Sequence, residues 1–403
     1  MSLYLWDDER AAAFEPFALT RPLAEVRAGA LLVRERWARA LGDAVEGFVA
    51  APHLDAFGEA GAPRAAAPLL PTGTIVANAR CLPRLAALLD ASATHWCCGG
   101  EVAAVRLPHD VTVDELRATR DLAELAPVGE GAPLDGWWLR EVWDLVGLLP
   151  ALLADDLPVL AAELEATELP PQVLAAGPHP VVVERGAAVE PIVFLDATAG
   201  PIVVRRGASV AAFTRLVGPC FVDEATMVLG GRIATCSIGP HCKVHGELSN
   251  TTFLGYANKG HDGFVGHSVL GRWVNLGAGT ITSNLKNTYG PVQLWTPGGV
   301  RDTGLQFLGT LFGDHVKTGI GTRLTTGSVL GAGANVFGSA MPPRAVPPFA
   351  WGDGAAPARY DLDRFLRTAE RAMRRRDVAL TDDMRRQLAA AHARGWPAAR
   401  VGA

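Results

Sequence analysis

Small apolar residues return every six positions through the second half of the chain. Val204, Val210, Leu216, Val222 and Val228 keep this spacing, as do Ile238 and Val244, then Leu270 and Leu276. Phe312, Thr318, Leu324, Leu330 and Val336 resume it. A period of six fits neither an α-helix nor a simple strand meander. It predicts a triangular coil of short parallel strands, stacked into a rod with the repeated residue pointing inward. The first turns are expected from about Pro178, with Val183, Val189 and Leu195 inside and a register reset near Gly200. The proline-rich stretch from Met341 to Pro357 is expected to end the coil and run extended. Leu362 to Gly395 reads as helix, with Arg374, Arg375 and Arg376 forming either a solvated face or a patch for an acidic ligand or neighbouring subunit.

The first half of the chain lacks the six-residue period. Leu3 to Asp7 reads as a first strand ending in acids, and Thr20-Arg21-Pro22 as a turn. Leu23 to Leu41 has helical spacing, Gly73 to Pro83 reads as a strand running into a polar turn, and Glu101 to Pro108 as another strand. Val113 to Leu125 and Arg140 to Leu157 read as helices, the second ended or kinked at Pro150. Alternating strands and helices predict an α/β domain with an open, mainly parallel sheet, whose ligands bind beyond the strand ends. The expected organisation is therefore an α/β domain over 1–175, an all-β coil over 178–340, and a connector with terminal helices over 341–403.

Composition excludes some classes. With 37 basic and 42 acidic residues among 403, the net charge of −5 argues against a general nucleic-acid partner. The longest apolar run, Trp143 to Leu153, is too short to span a bilayer, and no signal peptide is visible, so a cytoplasmic protein with no membrane partner is expected. Six cysteines without a C-x-x-C pair read as free thiols in a reducing compartment. Only four of the basic residues are lysines, and Lys243, Lys259, Lys286 and Lys317 all fall within the coil. A compact ammonium there suits a phosphate-bearing ligand, although four residues can also cluster by chance.

The polar stretch from Asn250 to Tyr289 carries the chemistry. Lys259-Gly260-His261, Gly266, Gly271, Asn275 to Thr282 and Asn284 resemble the acyltransferase half of a bifunctional family that joins N-acetylglucosamine-1-phosphate uridylyltransferase to glucosamine-1-phosphate N-acetyltransferase. Asp7-Asp8, Thr20-Arg21-Pro22, Glu25, Arg27, Gly29, Arg34, Trp37 and Trp143-Asp144-Leu145 are similar to its divergent sugar nucleotidyltransferase-related branch. The resemblance implies a nucleotidyltransferase-like α/β domain followed by a left-handed parallel β-helix of hexapeptide repeats, assembled as a homotrimer.

It also implies roles. His261 would be the general base for acetyl transfer from acetyl-CoA to an amine, with Glu247, Lys259, Asn275, Asn284 and Lys286 at the sugar-phosphate site. Gly277, Ala278, Gly279 and Lys317 would lie along the coenzyme A arm. In the N-terminal domain Arg21, Arg27, Asn78 and Arg80 would hold a nucleoside triphosphate. Asp7 and Asp8 are the candidates for binding Mg²⁺. Three positions depart from the family: Phe264 replaces a tyrosine, Ser249 a phosphate-binding lysine, and Leu285-Lys286-Asn287 a tyrosine–aspartate–glycine run, which leaves the acceptor sugar open. No glycine-rich phosphate loop is present. Two other readings stand beside this one: a non-catalytic trimeric scaffold or sugar-nucleotide sensor, and a zinc hydratase drawing on His241, His245, His261 and His267.

Overall fold

The computed structural model describes residues 2–353 and 357–396 and resolves two compact units. The connector positions 354–356 and the tail positions 397–403 lie outside the described residues.

The first unit comprises Met1–Val142 with Thr381–Ala393. Its centre is a seven-stranded mixed sheet in the order Ala132–Pro133, His95–Cys98, Glu101–Arg106, Ile75–Asn78, Leu3–Trp6, Val45–Val49, Arg64–Ala65. Leu3–Trp6 is parallel to both its neighbours, whereas Glu101–Arg106 is antiparallel to both of its own. Leu3, Leu5, Ile75, Val76 and Ala77 are fully buried, as expected of central strands covered on both faces.

Helical spacing over Leu23 to Leu41 is only partly realised. Leu23–Glu25 is a single 3₁₀ turn, Arg27–Ala28 and Leu31–Leu32 form a small hairpin through Gly29, and the helix proper is Val33–Leu41. Ala24, Val26, Ala28 and Ala30 are buried all the same, so tertiary burial produces the apolar spacing without a helix. Val113 to Leu125 likewise divides into a helix, Val113–Ala118, and a 3₁₀ turn, Leu122–Glu124. Thr112 and Glu115 cap the helix reciprocally, while the Asp121 carboxylate accepts from Ala123 N at 2.9 Å and starts the turn afresh.

The second unit comprises Trp143–Leu380 with Arg394–Ala403. It opens with the helices Asp144–Gly147 and Leu149–Glu163. Pro150 sits in the first turn of the latter, where its missing N–H is not needed, so it starts that helix rather than ending one. A parallel β-helix follows. One face is a nine-stranded parallel ladder running from Val181–Val183 through Cys220–Val222, Val269–Leu270 and Thr310–Phe312 to Ala345–Val346. The other faces carry ladders that include Ala188–Val189, Ser209–Val210 and Met227–Ala234, and Ile281–Thr282 paired with Arg323–Leu324.

Each residue of the six-spaced series is buried, from Val204 and Val210 through Leu270 and Phe312 to Val336. They form one continuous core with Ile233, Leu248, Phe253 and Val265. Cys220, Cys236 and Cys242 lie in that core, where burial raises the Cys220 thiol to about 12 and pushes the Cys236 thiol up as well. All six cysteines are free.

The proline-rich connector differs from expectation. Ala345–Val346 and Ala350–Gly352 pair parallel with Val329–Leu330 and Asn335–Val336, so the connector supplies one more turn of the coil. Ala358–Arg359 then pairs antiparallel with Ala350–Trp351. At the opposite end Ala166 bridges Glu184 antiparallel, with Thr167 N donating to Val183 O at 2.7 Å and Arg185 N to Glu165 O at 2.8 Å. One face of the coil at each end is thus met by backbone running in reverse. No helix among the described residues is long and apolar enough to cross a membrane.

Truncating an inward rung should be costly and truncating a corner should not. Leu270→Ala is expected to destabilise by about 2–5 kcal/mol, because Phe253 and Phe312, its register neighbours on the coils either side, relax only partly into the gap. Ile320→Ser, at a corner where Ile320 is 84% exposed, should change stability by less than about 0.5 kcal/mol. Urea unfolding of the two variants checks both.

Candidate active site

In the first unit, the strand ends bring Asp8, Asn78 and Arg80 together. Arg80 Nε donates to both Asp8 oxygens at 2.9 Å, and Asn78 Nδ2 donates to Asp8 Oδ2 at 3.0 Å. Arg80 Nη1 also donates to Leu139 O at 3.1 Å, and its guanidinium lies over the Trp138 ring. The Asp8 carboxylate caps the following 3₁₀ turn by accepting from Ala11 N at 3.0 Å. Arg21 pairs with Glu59 at 3.0 Å, and Arg27 donates to Ala30 O. Arg21, Arg27, Asn78 and Arg80 are all at most 5% exposed. Each of the residues expected to hold a nucleotide is thus met here by a carboxylate or a carbonyl of its own fold.

Asp7 differs from its neighbour. Only Leu23 N–H reaches its carboxyl, at 3.0 Å on Oδ2, while Oδ1 is buried without a hydrogen-bond partner. Burial pushes this carboxyl up to about 7. The Asp7–Asp8 pair does not fit a divalent cation as arranged. Asp8 has given both oxygens to a guanidinium, and Asp7 alone offers a half-protonated group.

In the second unit the polar stretch folds into coils without breaking the ladder. Phe253, Lys259 and Val265 are six apart, and Lys259 takes the inward column between Val244 and Leu276. It is 2% exposed. Its ammonium escapes the core by donating to two backbone carbonyls, His245 O at 2.8 Å and His261 O. Desolvation lowers it to about 8, against a smaller opposing pull from Asp262. The resemblance implies Lys259 at the sugar phosphate; here its ammonium is buried and anchors the loop that carries His261. The six-residue count itself could have found this.

His261 is exposed, and its ring makes no hydrogen bond among the described residues. The backbone of its loop is fixed on both sides. Lys259 holds the His261 carbonyl, Gly279 N donates to Asp262 O at 3.1 Å, and His245 Nδ1 stands 3.3 Å from Asp262 Oδ1. Gly263 follows at φ +129°, where a Cβ would lie 2.3 Å from Thr280 O, so the next coil leaves no room for a side chain.

The two asparagines are held elsewhere in the chain. Asn258 Nδ2 donates to Asn275 Oδ1 at 2.8 Å, and Asn284 Nδ2 lies 2.8 Å from His267 Nδ1. His267, stacked on Phe307, is lowered by burial and thus neutral near pH 7. Glu247 is exposed, in register with Arg232 and Phe264. Lys286 donates to Pro291 O at 2.9 Å. Gly277 N and Ala278 O are engaged by Thr318 and Gly321 of the next coil, so the backbone of this corner is used in stacking. Lys317 donates to Trp273 O at 2.5 Å, and desolvation lowers it to about 7. Among the described residues no group of three His, Cys, Asp or Glu side chains converges as a metal site, and His241 stacks on Tyr256 instead.

Residues 3–165 match the sugar nucleotidyl transferase family. A bifunctional sugar-1-phosphate nucleotidylyltransferase/acetyltransferase of Sulfurisphaera tokodaii is 32% identical over 95 residues, 24% of this chain and 24% of that protein. The chain thus aligns with about a quarter of the length of this relative.

Two predictions follow from the buried charges. Asp8→Ala strands the Arg80 guanidinium and should cost about 3–5 kcal/mol, whereas Arg140→Ala, which breaks the exposed pair with Glu101, should cost no more than about 1 kcal/mol. Chemical denaturation measures both. Because the folded pKa of Lys259 lies below its unfolded value, the unfolded chain binds more protons between about pH 8 and 10, and stability rises with pH there. In Lys259→Met that rise should be shallower, as read from unfolding midpoints across this window.

Proposed function

We propose that the protein is a bifunctional sugar-phosphate enzyme. Its N-terminal unit transfers a nucleotidyl group from a nucleoside triphosphate to a sugar 1-phosphate, and its β-helix transfers an acetyl group from acetyl-CoA to an amino-sugar phosphate. The observation that carries the second activity is the His261 loop: an exposed imidazole on a backbone locked by a buried ammonium and by the next coil. Imidazole is the side chain suited to take a proton near neutral pH.

In the proposed reaction the acceptor amine attacks the thioester carbonyl as His261 removes the amine proton. Collapse of the tetrahedral adduct breaks the C–S bond, and the imidazolium returns the proton to the departing thiolate. Within one chain Asn275 and Asn284 are bonded to Asn258 and His267, so they position the acceptor from those tethered amides. Assembly as a homotrimer brings further groups to His261. Exposed apolar side chains, among them Ile192 and Phe213, support such assembly.

A second reading applies to the N-terminal unit alone. The engagement of Asp8 by Arg80 favours a domain that binds a sugar nucleotide without turning it over. Pyrophosphate release from UTP or dTTP with a panel of sugar 1-phosphates separates the two.

His261→Ala should lower acetyl-CoA-dependent thiol release by about 10²–10⁴-fold, with little change in KM for acetyl-CoA and none in pyrophosphate release. Thiol release at the wild-type rate in this variant would refute the assignment.

A further inference from the structure

Asn284 and His267 stand on neighbouring coils, and one contact joins their side chains: Asn284 Nδ2 lies 2.8 Å from His267 Nδ1. A carboxamide nitrogen can only donate, so Nδ1 accepts and the proton of the neutral imidazole resides on Nε2. The imidazole is held in place for this. His267 N–H donates to Ser249 O at 2.8 Å, Gly309 N–H donates to His267 O at 2.8 Å, and the ring stacks on Phe307 with centroids 5.2 Å apart. The carboxamide is confined as well. Leu308 N–H donates to Asn284 O at 2.9 Å, and a Cβ on Gly266 would lie 3.0 Å from Asn284 Nδ2 and 2.4 Å from Phe264 Cζ. Asn284 is only half-buried, and its Oδ1 makes no hydrogen bond among the described residues.

We infer that His267 is a positioning residue: it turns the Asn284 carboxamide so that its oxygen, and not its NH2, meets the amine of the acceptor. This inference rests on the acyl-transfer reading. The two ends of a carboxamide have nearly the same shape, so hydrogen bonds must choose between them where packing does not. The choice matters to the proposed reaction. An oxygen facing the amine accepts one N–H and leaves the nitrogen lone pair free to attack the thioester. An NH2 group facing it would donate to that lone pair and hold it out of the reaction. Phe264, which replaces a tyrosine of the family, brings no hydroxyl to compete for Oδ1. The pair also sets a pH dependence. The elements packed on the ring contribute Ser249, Asn284, Phe307, Leu308 and Gly309; none is ionisable, and burial is what lowers His267 below its usual value. Protonation places a hydrogen on Nδ1, which can then no longer accept from Asn284. The pair is therefore intact at neutral pH and lost on the acid side.

Thiol release from acetyl-CoA is followed with glucosamine 1-phosphate and galactosamine 1-phosphate as acceptors. His267→Phe keeps a ring against Phe307 but offers no acceptor. It should lower kcat/KM for the amino sugar about 10-fold or more, while KM for acetyl-CoA stays within about twofold. His267→Asn, whose carboxamide oxygen can take the place of Nδ1, should recover most of that loss. The acid limb of log kcat/KM should steepen by one proton in the wild type, and His267→Asn should lack this step. Wild-type kcat/KM in His267→Phe, a loss in His267→Asn as deep as in His267→Phe, or an acid step that persists in His267→Asn would each overturn the inference and leave the acyl-transfer reading standing. Absence of thiol release by the wild type with either sugar would bring down both. Imidazole nitrogen chemical shifts of the histidine-labelled wild type read the pair without turnover. The Nε2–H tautomer is expected for His267, and a dominant Nδ1–H tautomer overturns the inference even where a variant fails to fold.

Discussion

A coil of two- and three-residue strands has almost no cohesion within any one turn, so it depends on what stacks between turns. Here that is a column of apolar side chains, one for every six residues, each resting on the one above and below. Burial of these residues, together with the parallel hydrogen bonds between coils, fixes the register of each face. The chemistry is a local exception to that rule. Lys259 takes a place the ladder would give to an aliphatic, and the conflict is resolved by sending its ammonium to two carbonyls at the corner. The strut that results holds the loop on which His261 stands. A cost in the core has been converted into rigidity at the surface.

The two units treat charge in opposite ways. The first buries arginines and engages them internally, so that Arg21, Arg36 and Arg80 each bridge segments far apart in sequence. The second leaves its lysines only partly satisfied and lowers the pKa of two of them. Guanidinium suits the first task because it keeps its charge and has several directional donors. Ammonium suits the second because burial can shift its proton within the physiological range.

Much of this was legible in the chain. The period of six identified the coil and its interior, and each residue of the series is buried. Strand positions in the first half were readable because Leu3–Trp6, Ile75–Asn78 and Glu101–Arg106 are apolar and short. Helical spacing over Leu23 to Leu41 is only partly a helix because a 3₁₀ turn and a hairpin bury its first residues without one. Polar residues after strands were read as ligand contacts. That Arg80 meets Asp8 depends on two strands lying side by side, which no local pattern records. Arg375 and Arg376 were legible as a charged run, but their juxtaposition with Lys243 and Lys317 joins segments more than a hundred residues apart in the case of Lys243.

The reversed strands at the two ends of the coil have a further consequence. A parallel β-helix ends in rows of unpaired N–H and C=O groups, a template on which another rod could stack end to end. Glu165 to Thr167 at one end and Ala358–Arg359 at the other occupy those rows with backbone running the wrong way to be continued. Pro347 and Pro348, beside the last parallel rungs, also lack the N–H that a further coil would need. Backbone pairing is thereby stopped on one face of the coil at each pole.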